Sequence, residues 1–66
     1  MRNPLTDPRP GDVVEADIGG KHVVRIVSSV LAHVVYRDSR NGNRGLSCML
    51  EAWAYWCKKH NAKVKG

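Results

Sequence analysis

The apolar positions of this chain fall into three patterns, and the longest sets the fold. From His22 to Arg37 the chain reads HVVRIVSSVLAHVVYR, dense in valine, with no Gly or Pro. Branching at Cβ restricts χ1 and packs well on a pleated surface, so this stretch predicts strand. It is too long for one strand, which usually runs about five or six residues. Ser28-Ser29 is its weakest point and divides it into two strands, roughly Lys21–Ser28 and Leu31–Asp38. Alternation puts Val24, Ile26 and Val30 on one face and Val23, Arg25 and Val27 on the other. In the second strand Ala32, Val34 and Tyr36 oppose His33, Val35 and Arg37. Valines therefore occupy both faces of each strand. A flat sheet with one wetted face does not need that; a curled sheet, or one covered on its second side, does. Short apolar runs also suit a helix, but the valine content argues against it here.

The second pattern is a shorter alternation before this stretch. Val13 to Ile18 predicts a first strand with Val14, Ala16 and Ile18 inward and Glu15 and Asp17 outward. Pro10-Gly11-Asp12 launches it, and Gly19-Gly20 turns it into the central pair as a tight hairpin. After the pair, Ser39 to Gly45 is a polar turn with Asn41-Gly42 at its tip, and Leu46 to Cys48 a fourth short strand. All three prolines, Pro4, Pro8 and Pro10, lie in residues 1–10, which predicts an extended arm or coil.

The third pattern has a helical period. In Met49 to His60, MLEAWAYWCKKH, Leu50, Trp53 and Cys57 form one stripe flanked by Met49 and Trp56. Ala52 and Ala54 favour helix, and Lys58-Lys59 suit its negative C-terminal end. Ser47 is the expected N-cap, and Asn61 the residue that closes the helix in a left-handed conformation. Ala62-Lys63-Val64 then returns as a fifth strand. The order predicts a mainly β fold with one short C-terminal helix at about 49–60. The expected architecture is a small SH3-like β-barrel over residues 11–66, because closure removes exposed edges. The alternative is an open four-stranded antiparallel sheet with one packed helix.

Sixty-six residues allow one domain. A chain this short buries only about 60% of its unfolded surface, so its margin is thin. Two cysteines make no disulfide framework. No N-terminal stretch has the apolar core of a secretory signal, and no run is long enough to span a bilayer, so a reduced cytoplasmic protein with no membrane partner is expected. The formal charge of +5 gives salt-sensitive attraction to nucleic acid, though many small soluble domains carry as much.

The opening Asn3-Pro4-Leu5-Thr6-Asp7-Pro8-Arg9-Pro10-Gly11-Asp12-Val13-Val14, the Val35-Tyr36-Arg37 strand and Leu50-x-x-Trp53-x-x-Trp56 resemble small phage and prophage proteins of unassigned activity. The resemblance spans most of the chain and rests on short motifs. It implies a phage or prophage origin, with the host cytoplasm as location, and an SH3-like fold. Pro10-Gly11-Asp12-x-Val14 also looks like the entry to SH3-like and KOW-type barrels, some of which bind RNA or DNA. Such likeness of fold is associational.

The sharpest candidate chemistry is basic. Arg25 and Arg37 are expected on outward strand faces, with Arg40 and Arg44 in the turn beyond them. Converging, they would set guanidinium forks on a phosphate backbone. The bland alternative is a solvated surface of scattered arginines. Tyr36 is expected to face the core rather than to stack on a base. Trp53, Tyr55 and Trp56 give a second candidate, an aromatic helix that docks on a host protein or a second copy. The bland reading there is a core with a partly covered rim. Cys48, Cys57, His60 and His33 are metal-capable types, but no Cys-x-x-Cys knuckle is present and buried cysteine is common, so no metal or other cofactor is expected. Ser28, Ser29, Ser39 and Ser47 lack a nucleophile context, and Asp7, Asp12, Glu15 and Asp17 lack a partner for acid–base work. The expectation is a non-enzymatic accessory protein that binds nucleic acid through Arg25, Arg37, Arg40 and Arg44. The alternative is a protein-binding module using the helix.

Overall fold

A computed structural model describes residues 3–42 and 44–65. Met1 and Arg2 of the expected arm and Asn43 of the expected turn lie outside the described residues. The strands are β1 (Val13–Ile18), β2 (Lys21–Val30), β3 (Val34–Asp38), β4 (Gly45–Cys48) and β5 (Lys63–Val64), with helix α1 at Leu50–Lys59. Gly19 and Gly20 both take positive φ, 57° and 81°, and make the two-residue turn between β1 and β2. A side chain at either would strain that turn. A 3-10 turn at Ser39–Asn41 follows β3.

All pairings are antiparallel, and the sheet order is β4-β3-β2-β1-β5. β4 and β5 are edges, so the sheet is open and does not close into the expected barrel. The open sheet with one packed helix describes it, with five strands rather than four. The reason lies in the connection from β4 to β5. Helix α1 leaves β4 at one edge and delivers β5 to the other, crossing one face of the sheet. Trp53 and Cys57 from the helix join Val14, Ala16, Val27, Val34, Tyr36 and Ala62 in one core. A closing sheet would need the space they fill.

The central stretch divides in two, but not at the serines. Val27 pairs with Tyr36 and Ser29 with Val35, so Ser28 is the extra residue of a β-bulge and β2 continues to Val30. The turn is Leu31-Ala32-His33, where the Leu31 N–H donates to the His33 carbonyl at 3.1 Å. The bulge resets the alternation. Val23, Arg25 and Val27 face the helix, and beyond the bulge Val30 joins them against the core. Val24 and Ile26 face the opposite way.

Trp53 is fully buried and meets the Tyr36 ring edge-on, with centroids 5.5 Å apart. Its indole Nε1–H donates to the Pro4 carbonyl at 3.2 Å. The N-terminal segment is thus coil, as expected, but folded onto the domain rather than extended. The Asn3 carbonyl accepts from the Thr6 and Asp7 N–H groups, Leu5 packs on the core and Pro8 is buried. Met49, not Ser47, is the N-cap and gives no side-chain bond. Ser47 lies within β4, two residues too early. At the other end Asn61 takes φ 51° as expected. The Ala62 N–H donates to the Cys57 carbonyl and Asn61 N–H to Lys58, which is a Schellman closure.

Candidate functional site

The end of β3 builds a charged cluster. Asp38 lies directly opposite Arg25 in the β2–β3 register. The Arg25 Nε–H donates to Asp38 Oδ2 at 3.0 Å. Asp38 also starts the 3-10 turn, where its Oδ1 accepts from the Arg40 backbone N–H at 2.8 Å. The Arg40 guanidinium then forks onto both oxygens, Nε–H to Oδ1 at 3.1 Å and Nη2–H to Oδ2 at 2.9 Å. The carboxylate is sealed from water and accepts four hydrogen bonds. Bonds from the Arg40 side chain lead in holding its pKa down at about 2, against the upward push of burial and with help from Arg25. The same bonds raise the pKa of Arg40.

Arg25 therefore does not lie on the outward face where a phosphate could reach it. Its guanidinium sits 3.8 Å from the Trp56 ring centroid and 4.4 Å from that of Tyr36. A guanidinium can be buried when an ion pair and aromatic faces replace its water, and both are present. Strand parity gives the cause. Arg25 shares a face with Val23 and Val27, both buried, and the apparent apolar set Val24-Ile26-Val30 is broken by the bulge. Sequence reading missed Asp38 altogether. Its signal is an Asp two residues before Arg40 at the end of a strand, the pattern of a side chain that caps a turn.

The other three arginines, all exposed, surround the β3–β4 connection without sharing one face: Arg40 forks onto Asp38 on the helix side of the sheet. Arg37 is exposed on the sheet face away from the helix, and its cross-strand partner is Gly45. Arg44, also exposed, directly precedes that glycine. Arg40 keeps about two-fifths of its side chain in water, with 41% exposed. Beside Arg37 lies an open depression of about 250 Å³ lined by Val24, Ile26, Arg37, Asp38, Ser39 and Gly42. The Ser39 hydroxyl oxygen accepts from the Val24 N–H at 3.0 Å, which leaves its own proton to donate. From Val34 to Cys48 the one carboxylate is Asp38, and it is already shared by two guanidinium groups. The corner is thus positive with nothing acidic in that segment turned outward. Tyr36 faces the core, as expected, so no base can stack on it.

The three helix aromatics do not form one patch. Trp53 is core, Trp56 lies half-buried over Arg25, and Tyr55 alone points freely outward at 67% exposed. A helix sends residues 53, 55 and 56 in different directions, so they could not all serve one partner. Leu50, expected in the buried stripe, is 45% exposed. Burial raises the pKa of both thiols, that of Cys57 to about 11, which works against the thiolate that a metal needs. Among the described residues no group of three or more His, Cys, Asp or Glu has metal-binding geometry. His60 packs on Trp56 with centroids 5.4 Å apart, and His33 is exposed in the β2–β3 turn. Glu15 and Asp17 both stand 3.3 Å from the His22 ring nitrogens, beside a hollow that Lys63 and His60 also line.

No protein family, curated protein or solved structure matches this chain. Among the described residues, no helix is long and apolar enough to cross a membrane.

Proposed function

We propose that the protein is a non-enzymatic accessory protein, of phage or prophage type, that binds nucleic acid by its phosphates through Arg37, Arg40 and Arg44. The observation that supports this is the β3–β4 connection, which carries three exposed arginines while its one carboxylate is buried. Arg40 is held in place by Asp38, so its remaining N–H groups are ordered before any ligand arrives. Such contacts fix position without reading sequence. With no aromatic ring at the corner, duplex backbone suits it better than unstacked bases.

Fluorescence anisotropy of labelled duplex DNA, single-stranded DNA and RNA, at low and near-physiological salt, tests it. Saturable binding with a log–log salt slope of about −3 is expected for duplex DNA, as three phosphate contacts would give. Arg44→Glu should flatten the slope and weaken binding. No binding to any of the three at low salt would refute the reading.

A further inference from the structure

The valines on both strand faces of the central stretch are only half explained by helix α1. On the face away from the helix, Ile26 is 44% exposed and Val13, Val24 and Val35 are partly exposed. An antiparallel sheet can leave one face to water, and this face is polar at most positions, as such a face should be, but not at its centre. Here four β-branched residues form its centre, and the small residues Gly45, Ser47, Ser28 and Ser29 lie alongside. Ser39 and Gly42 of the turn after β3 flank Val24 and Ile26, but no strand or helix of the described chain lies over them.

The register shows how charge is laid out around this apolar centre. One row runs Gly45, Arg37, Ile26, Val13, from β4 to β1. The next runs Val24, Glu15, Lys63, from β2 to β5, and a third pairs His22 with Asp17. Arg37 on β3 and Glu15 on β1 thus flank the central strand β2 on opposite sides. Asp17 adds a second acid on β1, while Lys63 offsets part of the charge of Glu15. Arg40 and Arg44 add to the basic side. A face with base on one flank, acid on the other and an apolar seam between them is complementary to itself under a two-fold axis. That is the requirement for a closed two-subunit interface.

We propose that the open sheet face is a homodimer interface. Two copies stack sheet to sheet about a two-fold axis along β2. β3 of each copy then lies over β1 of the other, and Val24 and Ile26 interdigitate at the centre. Rotation about β2 keeps each row at its own height, so Arg37 of each copy lies over Val13 of the other and its long side chain reaches one row along to Glu15, and two such ion pairs frame the apolar seam. The dimer is a two-layer sheet sandwich with the helices outside. Arg40 and Arg44 of each copy remain at its rim, open to nucleic acid, whereas Arg37 and the depression beside it are closed off, so that dimer formation and phosphate binding at Arg37 exclude each other.

Sedimentation velocity over a range of concentrations tests this, with circular dichroism to show that each variant is folded. The wild-type chain should be a reversible dimer. Arg37→Glu and Glu15→Arg should each weaken the dimer at least about tenfold, because each sets like charges together. The double variant Arg37→Glu/Glu15→Arg should regain the dimer, and an equimolar mixture of the two single variants should form heterodimers. A wild-type chain that stays monomeric at the highest concentration overturns the proposal. So does a dimer that survives both single reversals, or a double variant no better than the singles. Glu15→Arg leaves all three proposed phosphate-binding arginines in place, and Arg44→Glu leaves the sheet face in place. Failure of the dimer and failure of nucleic-acid binding are therefore separable.

Discussion

Arg25 and Asp38 face each other across β2 and β3, and their side chains meet at 3.0 Å inside the protein. The pair does more than neutralise charge. It ties the middle of β2 to the end of β3 at the point where the chain turns towards the arginine corner. Removing one partner leaves the other charged and buried, which typically costs about 3–5 kcal/mol. A domain of this size has little more than that in reserve. Asp38→Ala is therefore expected to be largely unfolded in urea titrations at 25 °C. Arg40→Ala, whose partner keeps Arg25 and whose own side chain is partly in water, should cost roughly 1 kcal/mol. Equal losses for the two would show that Arg25 does not need the carboxylate.

The same carboxylate gives a pH dependence of known sign. Its folded pKa, about 2, lies below the ordinary value of 3.8, so the folded state favours the ionised form. That stability is fully present above the unfolded value. It is lost as pH falls from about 4 through 2, and amounts to roughly 2 kcal/mol. Urea midpoints measured from pH 5 down to pH 2 should fall more steeply for the wild type than for Asp38→Asn. Parallel slopes in that window would assign the acid sensitivity to other carboxylates.

Asn61 carries a smaller and cleaner test. At φ 51° it holds the left-handed position that ends helix α1 and lets Ala62 turn into the core. Glycine takes that conformation without strain, asparagine tolerates it because its short polar side chain can hydrogen-bond locally, and alanine has a Cβ with nothing to offset it. Asn61→Ala should lose about 1 kcal/mol, a fall of roughly 4–8 °C in Tm, while Asn61→Gly should match or exceed the wild type. Thermal melts of the three proteins decide it.

The strands, the helix and the Gly19-Gly20 hairpin were legible because each rests on a short-range rule: alternation, a helical stripe or a turn residue. The fifth strand was legible for a different reason, since Asn61 marks where the helix must stop. Two things were not. The bulge at Ser28 moves Val30 to the other face, so the set Val24-Ile26-Val30 read through it looks like the core side and puts Arg25 outward, although the grouping of Val23, Arg25 and Val27 holds. The barrel failed because closure depends on where the helix packs, which no local pattern reports. The site divides in the same way. Arg37, Arg40 and Arg44 were visible as basic residues around one turn. Asp38 was not visible as the group that orders Arg40 and holds Arg25, because its importance comes from a partner thirteen residues away across the sheet.

The N-terminal segment offers the last test, since its prolines predict an extended arm or coil. Trp53 donates its indole N–H to the Pro4 carbonyl, Leu5 lies on the core, and Asn3 closes a turn with Thr6 and Asp7. The segment is thus a lid over the largest core side chain, and it is pinned by one hydrogen bond from that side chain. Trp53→Phe keeps an aromatic ring against Tyr36 but removes the donor. The variant should fold with a loss of about 1–3 kcal/mol, from the missing bond and the smaller ring. Its distinguishing effect should be local. Hydrogen exchange at the Thr6 and Asp7 amides is expected to speed up by more than the global loss of stability explains, while amides of β2 and β3 follow the global change. Uniform acceleration across the chain would mean that the Trp53 bond adds nothing to the hold on the lid.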